Sequence, residues 1–340
     1  MTDQQLSLPA LRVAGRAAFI LWLLSAGMIG ALRALDFHAN QPERLLYVNG
    51  QGLYLWRLEC AGWFAPCAWR DQLVLDDRDE VYNGISWSPD GTTIALQSAD
   101  GWRLFDADCL LSWSDDCPPL RTISWDESND IRLAWGSQGA ALAYVTTDAR
   151  RLVILSRACW RPVEGQECER RVIPLGIRAY SALTPNWSPT GERIAFYNLT
   201  QSTVSVLDAD CLDEGRSCSG GFSALPGPRA QYWPTFSPDG NLLAFHGQVL
   251  FSASQIYIHD LADGITRQIT HQRDATFPAW SGNGRLLAYS ELHGPHLYIA
   301  LYDLERQRAV VGVRRPGRNL FATWEATIHG KQRYASRSKL

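Results

Sequence analysis

One pattern recurs five times and leaves few folds open. The segments are "ISWSPDGTTIALQS" (85–98), "LAWGSQGAALAYVT" (133–146), "PNWSPTGERIAFYN" (185–198), "PTFSPDGNLLAFHG" (234–247) and "PAWSGNGRLLAYSE" (278–291). Each carries an aromatic residue, a Ser/Pro/Gly-type turn, a glycine and then an alternating apolar strand. The glycine supplies the positive φ of a tight hairpin turn. The aromatics Trp87, Trp135, Trp187, Phe236 and Trp280 follow one another at intervals of 48, 52, 49 and 44 residues. Four antiparallel strands in every 40–50 residues or so is the period of a β-propeller blade.

The two ends complete the count. "LFATWEATI" (320–328) places Trp324 another 44 residues after Trp280 and then stops without further strands. "RLLYVNGQGLYLWRL" (44–58) reads as second and third strands lacking a first. Together they make one blade, so the C-terminal strand is expected to close the ring and remove a long open edge. The expected fold is all-β, a six-bladed propeller over 44–330. In the fifth blade the innermost strand A ends at Phe236, B is "LLAFHG", C is "QIYIHDL" and D is "ITRQIT". Period-two alternation marks each as half-buried between neighbouring blades.

The eight cysteines fall into pairs just after successive C strands: Cys60/Cys67, Cys109/Cys117, Cys159/Cys168 and Cys211/Cys218. Blades 5 and 6 have plain turns there, "LADG" and "LERQR". Eight cysteines at matching repeat positions in an exported chain read as four local disulfides stapling the C–D hairpins. Structural zinc uses closer cysteine spacings and needs reduced thiolates. Asp106/Asp108 and Asp208/Asp210, in the repeated "DADC", read as turn residues that bond nearby amides rather than as calcium ligands.

Export is expected because 17–35, "AAFILWLLSAGMIGALRAL", holds one charge and as a helix spans about 28 Å. Arg12 and Arg16 precede it, which puts 1–16 in the cytoplasm. We expect an uncleaved single-pass anchor, with a cleaved signal peptide as the alternative. A linker at 36–43, the propeller in the periplasm or outside the cell, and a disordered basic tail at 331–340 complete the organisation. A net charge of −3 gives no electrostatic case for nucleic acid.

"WSPDG..IA", "FSPDGNLLAF" and "IYIHDLADGITRQIT" resemble the repeat of TolB-type propellers, which also occurs in propeller domains of prolyl-oligopeptidase-like enzymes. The resemblance spans about 44–330. It implies a protein-binding platform, a substrate gate for an attached hydrolase or, less commonly, a catalytic ring. No G-x-S-x-G elbow is present, the family's globular N-terminal domain has no counterpart, and stapled hairpins are not general in the repeat. A related lyase family binds metal through histidines at the channel mouth, which here draws attention to His271, His293 and His296 in loops opposite the stapled hairpins.

The reading is therefore a non-catalytic, membrane-anchored scaffold or accessory subunit without cofactor or metal, whose partners are other membrane or exported proteins. Trp63, Phe64, Trp113 and Trp160, in or beside the stapled loops, are its candidate interface anchors. The competing reading folds each stapled ring back onto its own blade. Two rival functions are a metal-dependent lyase or hydrolase at the channel mouth and a channel that holds a glycan or peptide. The second needs polar and aromatic side chains along the channel. The sequons at Asn186 and Asn198 matter only in a glycosylating host, and Asn186 adjoins a buried strand.

Overall fold

The computed structural model describes residues 44–49, 52–60, 67–76, 84–112, 117–126, 133–146, 151–174, 184–198, 201–208, 222–228, 230–248 and 253–325. The chain divides into two compact units, 1–41 with 58–69, and 42–57 with 70–340. Of the first, only 58–60 and 67–69 are described, as the ends of two strands. The expected anchor at 17–35, linker at 36–43 and tail at 331–340 lie outside the described residues. Among the described residues no helix is long and apolar enough to cross a membrane.

Six four-stranded antiparallel sheets form the six blades. Blade 1 takes its A strand, Leu320–Trp324, from the C-terminal end and its B, C and D strands, Arg44–Val48, Gly52–Cys60 and Cys67–Asp76, from the N-terminal end. Leu45 lies opposite Trp324 and Leu46 opposite Thr323. The Arg44 guanidinium grips the Glu325 carboxylate, with Nε to Oε2 at 2.7 Å, and the Asn49 amide donates to Asn319 at 2.8 Å. The expected closure is thus present and fastened at both ends of its seam.

Blades 2 to 6 follow in chain order. Their A strands are Ile85–Trp87, Ala134–Trp135, Asn186–Trp187, Gln231–Phe236 and Ala275–Trp280. The A–B turns explain why the repeat is legible. In blade 2 the Ser88 hydroxyl donates to Asp90 and accepts from the Thr93 amide, while Gly91 sits at φ 71°. Ser237 with Asp239 and Ser281 with Asn283 repeat this in blades 5 and 6. A serine, an Asp or Asn two residues on and a glycine after it therefore close the turn largely from within.

Stability comes from the seams between sheets. Leu46, Leu53 and Leu55 of blade 1 pack on Ile85, Ile94 and Leu96 of blade 2. Ala134, Val145 and Ile154 of blade 3 meet Ile194, Phe196 and Leu207 of blade 4. Each strand alternates its side chains between two such seams, as the period-two pattern requires. Three short turns among the described residues depart from the all-strand reading: the single helical turn Ala107–Leu111 between strands C and D of blade 2, and the 3₁₀ turns Ser137–Gly139 and Arg157–Cys159 of blade 3.

Candidate functional site

The six A strands line a central channel, and each blade contributes one ring from the repeat: Trp87, Trp135, Trp187, Phe236, Trp280 and Trp324. Most indoles are tied to the preceding blade. Trp135 donates to Ser86 Oγ at 2.9 Å, Trp280 to the Thr235 carbonyl at 3.0 Å and Trp324 to the Ala279 carbonyl at 3.2 Å. Asn186 Oδ1 accepts from the Phe236 amide at 2.7 Å, so the asparagine of that sequon has a structural bond. The channel encloses a cavity of about 370 Å³.

Its floor is a second set of aromatics, three residues upstream of the first. Trp233, Phe277 and Phe321 converge from blades 5, 6 and 1 with ring centroids 4.5 to 5.2 Å apart. All three occupy the left-handed region, at φ 58°, 57° and 51°. Such a conformation costs an aromatic residue about 1–3 kcal/mol and persists only where its surroundings dictate it. The A-to-B ladders slip at this point in blades 5 and 6, between Tyr232 and Thr235 and between Thr276 and Ala279. The bulge turns the rings toward the axis. His246 supports it: its Nδ1 accepts the Phe277 amide at 3.4 Å while Tyr232 and Phe277 flank the imidazole. Burial pushes the His246 pKa down to about 3, so it is a neutral acceptor.

The opposite, open end is rimmed by the A–B turns of blades 2 to 6, through Pro89, Ser137, Pro189, Pro238 and Gly282, and in blade 1 by Glu325 just after its A strand. Glu325 is the one ionisable residue among the described lining, and Arg44 holds it.

The stapled hairpins border the same face. Cys109–Cys117 and Cys159–Cys168 are disulfides, with Cα atoms 5.8 and 4.4 Å apart. For Cys60 and Cys67 only the backbone is described, and Cys211 and Cys218 lie outside the described residues. Asp106 of the first "DADC" caps the helical turn, accepting from the Cys109 amide at 3.0 Å. It also receives Arg161 from the hairpin of blade 3 at 2.7 Å. Arg157, from the same hairpin, reaches Asp90 at 2.6 Å. Burial alone pushes both carboxyls up. Local hydrogen bonds and the two guanidinium groups outweigh it and hold them below the usual range. The blade 3 hairpin therefore clasps the A–B turn of blade 2.

This clasp corrects one expectation. Trp160 is not an exposed anchor: it is 2% exposed and lies in the seam between blades 2 and 3, edge-on to Trp135 at 5.8 Å. The 3₁₀ turn Arg157–Cys159 carries the chain inward, and the Trp160 amide bonds the Arg157 carbonyl. Trp63, Phe64 and Trp113 lie outside the described residues.

The three histidines of the metal rival are not brought together as ligands. His293 Nδ1 accepts from Arg273 at 2.5 Å, and its Nε2–H donates to Glu291. Both ring nitrogens are thereby engaged. His271 is exposed, and His296 stands beside Tyr298. Among the described residues no group of three or more His, Cys, Asp or Glu is placed to hold a metal ion. The floor aromatics were missed by sequence reading, although extending the repeat alignment three residues upstream ("WPTF", "FPAW", "FATW") reveals them.

Comparison with known proteins yields no matching family model and no curated relative. Solved structures do match. TolB from Acinetobacter baumannii aligns at 14% identity and TM-score 0.64 over 89% of this chain and 72% of that one. The fold is that of a TolB-like propeller. A chain of a nidogen/laminin complex aligns at 12% identity and TM-score 0.58, over 83% of this chain and 98% of that one. The tricorn protease aligns at 12% identity and TM-score 0.51, over 81% of this chain and 26% of that one.

Proposed function

We propose that this chain is a non-catalytic scaffold, anchored through 17–35 with its propeller on the extracytoplasmic side of a membrane. It binds exported or membrane proteins through the face that carries the stapled hairpins. The observation that carries this reading is the clasp of blade 3 on blade 2. A loop closed by a disulfide and pinned by Arg157 and Arg161 has little freedom left to lose when a partner docks. The likeness to TolB and to a chain of a nidogen/laminin complex supports the architecture such a platform needs.

Trp63, Phe64 and Trp113 supply the apolar contacts in this reading, and Trp160 no longer belongs with them. The test is co-purification from a mild detergent. Wild type retains a specific membrane or exported protein, and the variant with Trp63, Phe64 and Trp113 changed to serine loses it. Undiminished recovery with the variant contradicts the scaffold reading. Resistance of the full chain to alkaline extraction, lost when 1–35 is deleted, tests the anchor separately.

A further inference from the structure

We propose that the channel cavity is a binding site for a small neutral saccharide. The proposal is independent of the scaffold reading, because it concerns the channel and not the hairpins. At about 370 Å³ the cavity falls in the range of small-molecule sites, about 300–1,000 Å³. Its walls and floor are aromatic rings from every blade, the surface on which the C–H face of a sugar ring stacks. Between the rings stand short polar side chains, Ser86, Asn186, Thr235 and Thr323 among them. Ser86, Asn186 and Thr323 each accept one hydrogen bond within the protein, and their remaining donor capacity suits a hydroxylated guest better than a wholly apolar one.

Charge narrows the class. No lysine, arginine or histidine is among the described lining residues, and the single carboxylate, Glu325, is held by Arg44. An acidic sugar would lose hydration in the cavity and meet no lining cation, and a cationic guest would compete with Arg44 for Glu325. A neutral polyol meets neither penalty. Blade 5 offers it a hydroxyl, that of Thr235, which lines the cavity and can donate or accept.

The floor is built to stay in place. Three aromatics are held in left-handed conformations, two of them followed by proline (Pro234 and Pro278), and one is bonded through its amide to His246. A cavity with a fixed aromatic floor pays little reorganisation on binding.

The experiment uses the full chain in nanodiscs, free of glycoside detergents. It is titrated with cellobiose, maltose, N,N′-diacetylchitobiose, digalacturonate and acetyltryptophanamide, with calorimetry and saturation-transfer NMR as readouts. At least one neutral disaccharide is expected to bind at low millimolar concentration or better, with digalacturonate silent. Thr235→Val keeps the shape of the side chain, removes its hydroxyl and is expected to weaken that binding about 5-fold, the size of one neutral hydrogen bond. Phe321→Leu keeps apolar volume, removes a stacking face and is expected to weaken it at least as much. Three results overturn the proposal: no binding by any neutral disaccharide; tighter binding of digalacturonate or acetyltryptophanamide; or unchanged binding in both variants while each melts within a few degrees of wild type.

Discussion

Blades 2 and 3 are joined differently from blades 5, 6 and 1. Between blades 2 and 3 the extra fastening lies on the outer face: a disulfide-closed hairpin, two arginines and a tryptophan turned under them. Between blades 5, 6 and 1 the extra fastening is the aromatic floor inside the channel, and the C–D hairpins of blades 5 and 6 are plain. Both arrangements hold neighbouring sheets in register. The first depends on oxidation and on ionised carboxylates, the second on burial and on a neutral histidine.

Four measurements can break that contrast. The largest effect is expected at Trp160: Trp160→Ala should cost about 3–5 kcal/mol in urea unfolding, the price of emptying a core site. A change below about 0.5 kcal/mol would return Trp160 to the surface role first expected of it. Next is acid. The folded His246 pKa of about 3 lies below its unfolded value of 6.5. The unfolded chain therefore gains a proton that the folded one refuses. Stability falls as pH drops from 6.5 toward 3, by an amount on the order of a few kcal/mol, and levels off below. His246→Gln keeps an acceptor for the Phe277 amide and should flatten that window; an unchanged profile would remove His246 from the account.

Third is the staple. Replacing Cys159 and Cys168 by serine should cost roughly 2–3 kcal/mol by the chain-entropy estimate. Limited proteolysis should then open the 157–170 hairpin while sparing blades 5 and 6; equal loss at both would show the two fastenings to be one cooperative unit. Smallest is the clasp itself. Arg157→Ala and Arg161→Ala should each cost about 0.5–1 kcal/mol, since solvent screens these partly exposed pairs. Because Asp90 and Asp106 titrate below their unfolded values, this contribution is present above the unfolded carboxylate range. It disappears as pH falls through the lowered folded values. Both substitutions made in a background already lacking the disulfide should cost less if the staple positions the arginines.

What could be read in advance was what is local. Ser88, Asp90 and Gly91 make their turn from neighbours two to five residues away, so "SPDG" announces itself in any alignment. The pairing of 320–324 with 44–48 was inferable because each lacked what the other supplied. The cysteine pairs Cys109/Cys117 and Cys159/Cys168 followed from their repeat positions. The direction of Trp160 was not inferable, because it depends on a 3₁₀ turn and on a neighbouring blade 60 to 70 residues earlier in the chain. The floor aromatics stand in the repeat itself, but their left-handed conformation was not inferable, because no glycine marks it.

Arg44 and Glu325 are neighbours: the Glu325 amide donates to the Arg44 carbonyl at 3.0 Å, and their side chains join. A circle whose two loose threads meet has no privileged starting point. Splicing 325 to 44 through a short polar linker and cutting at the plain hairpin 261–264 should therefore give a rearranged gene whose product still assembles all six sheets. The order in which the blades emerge from the ribosome could then be chosen at will.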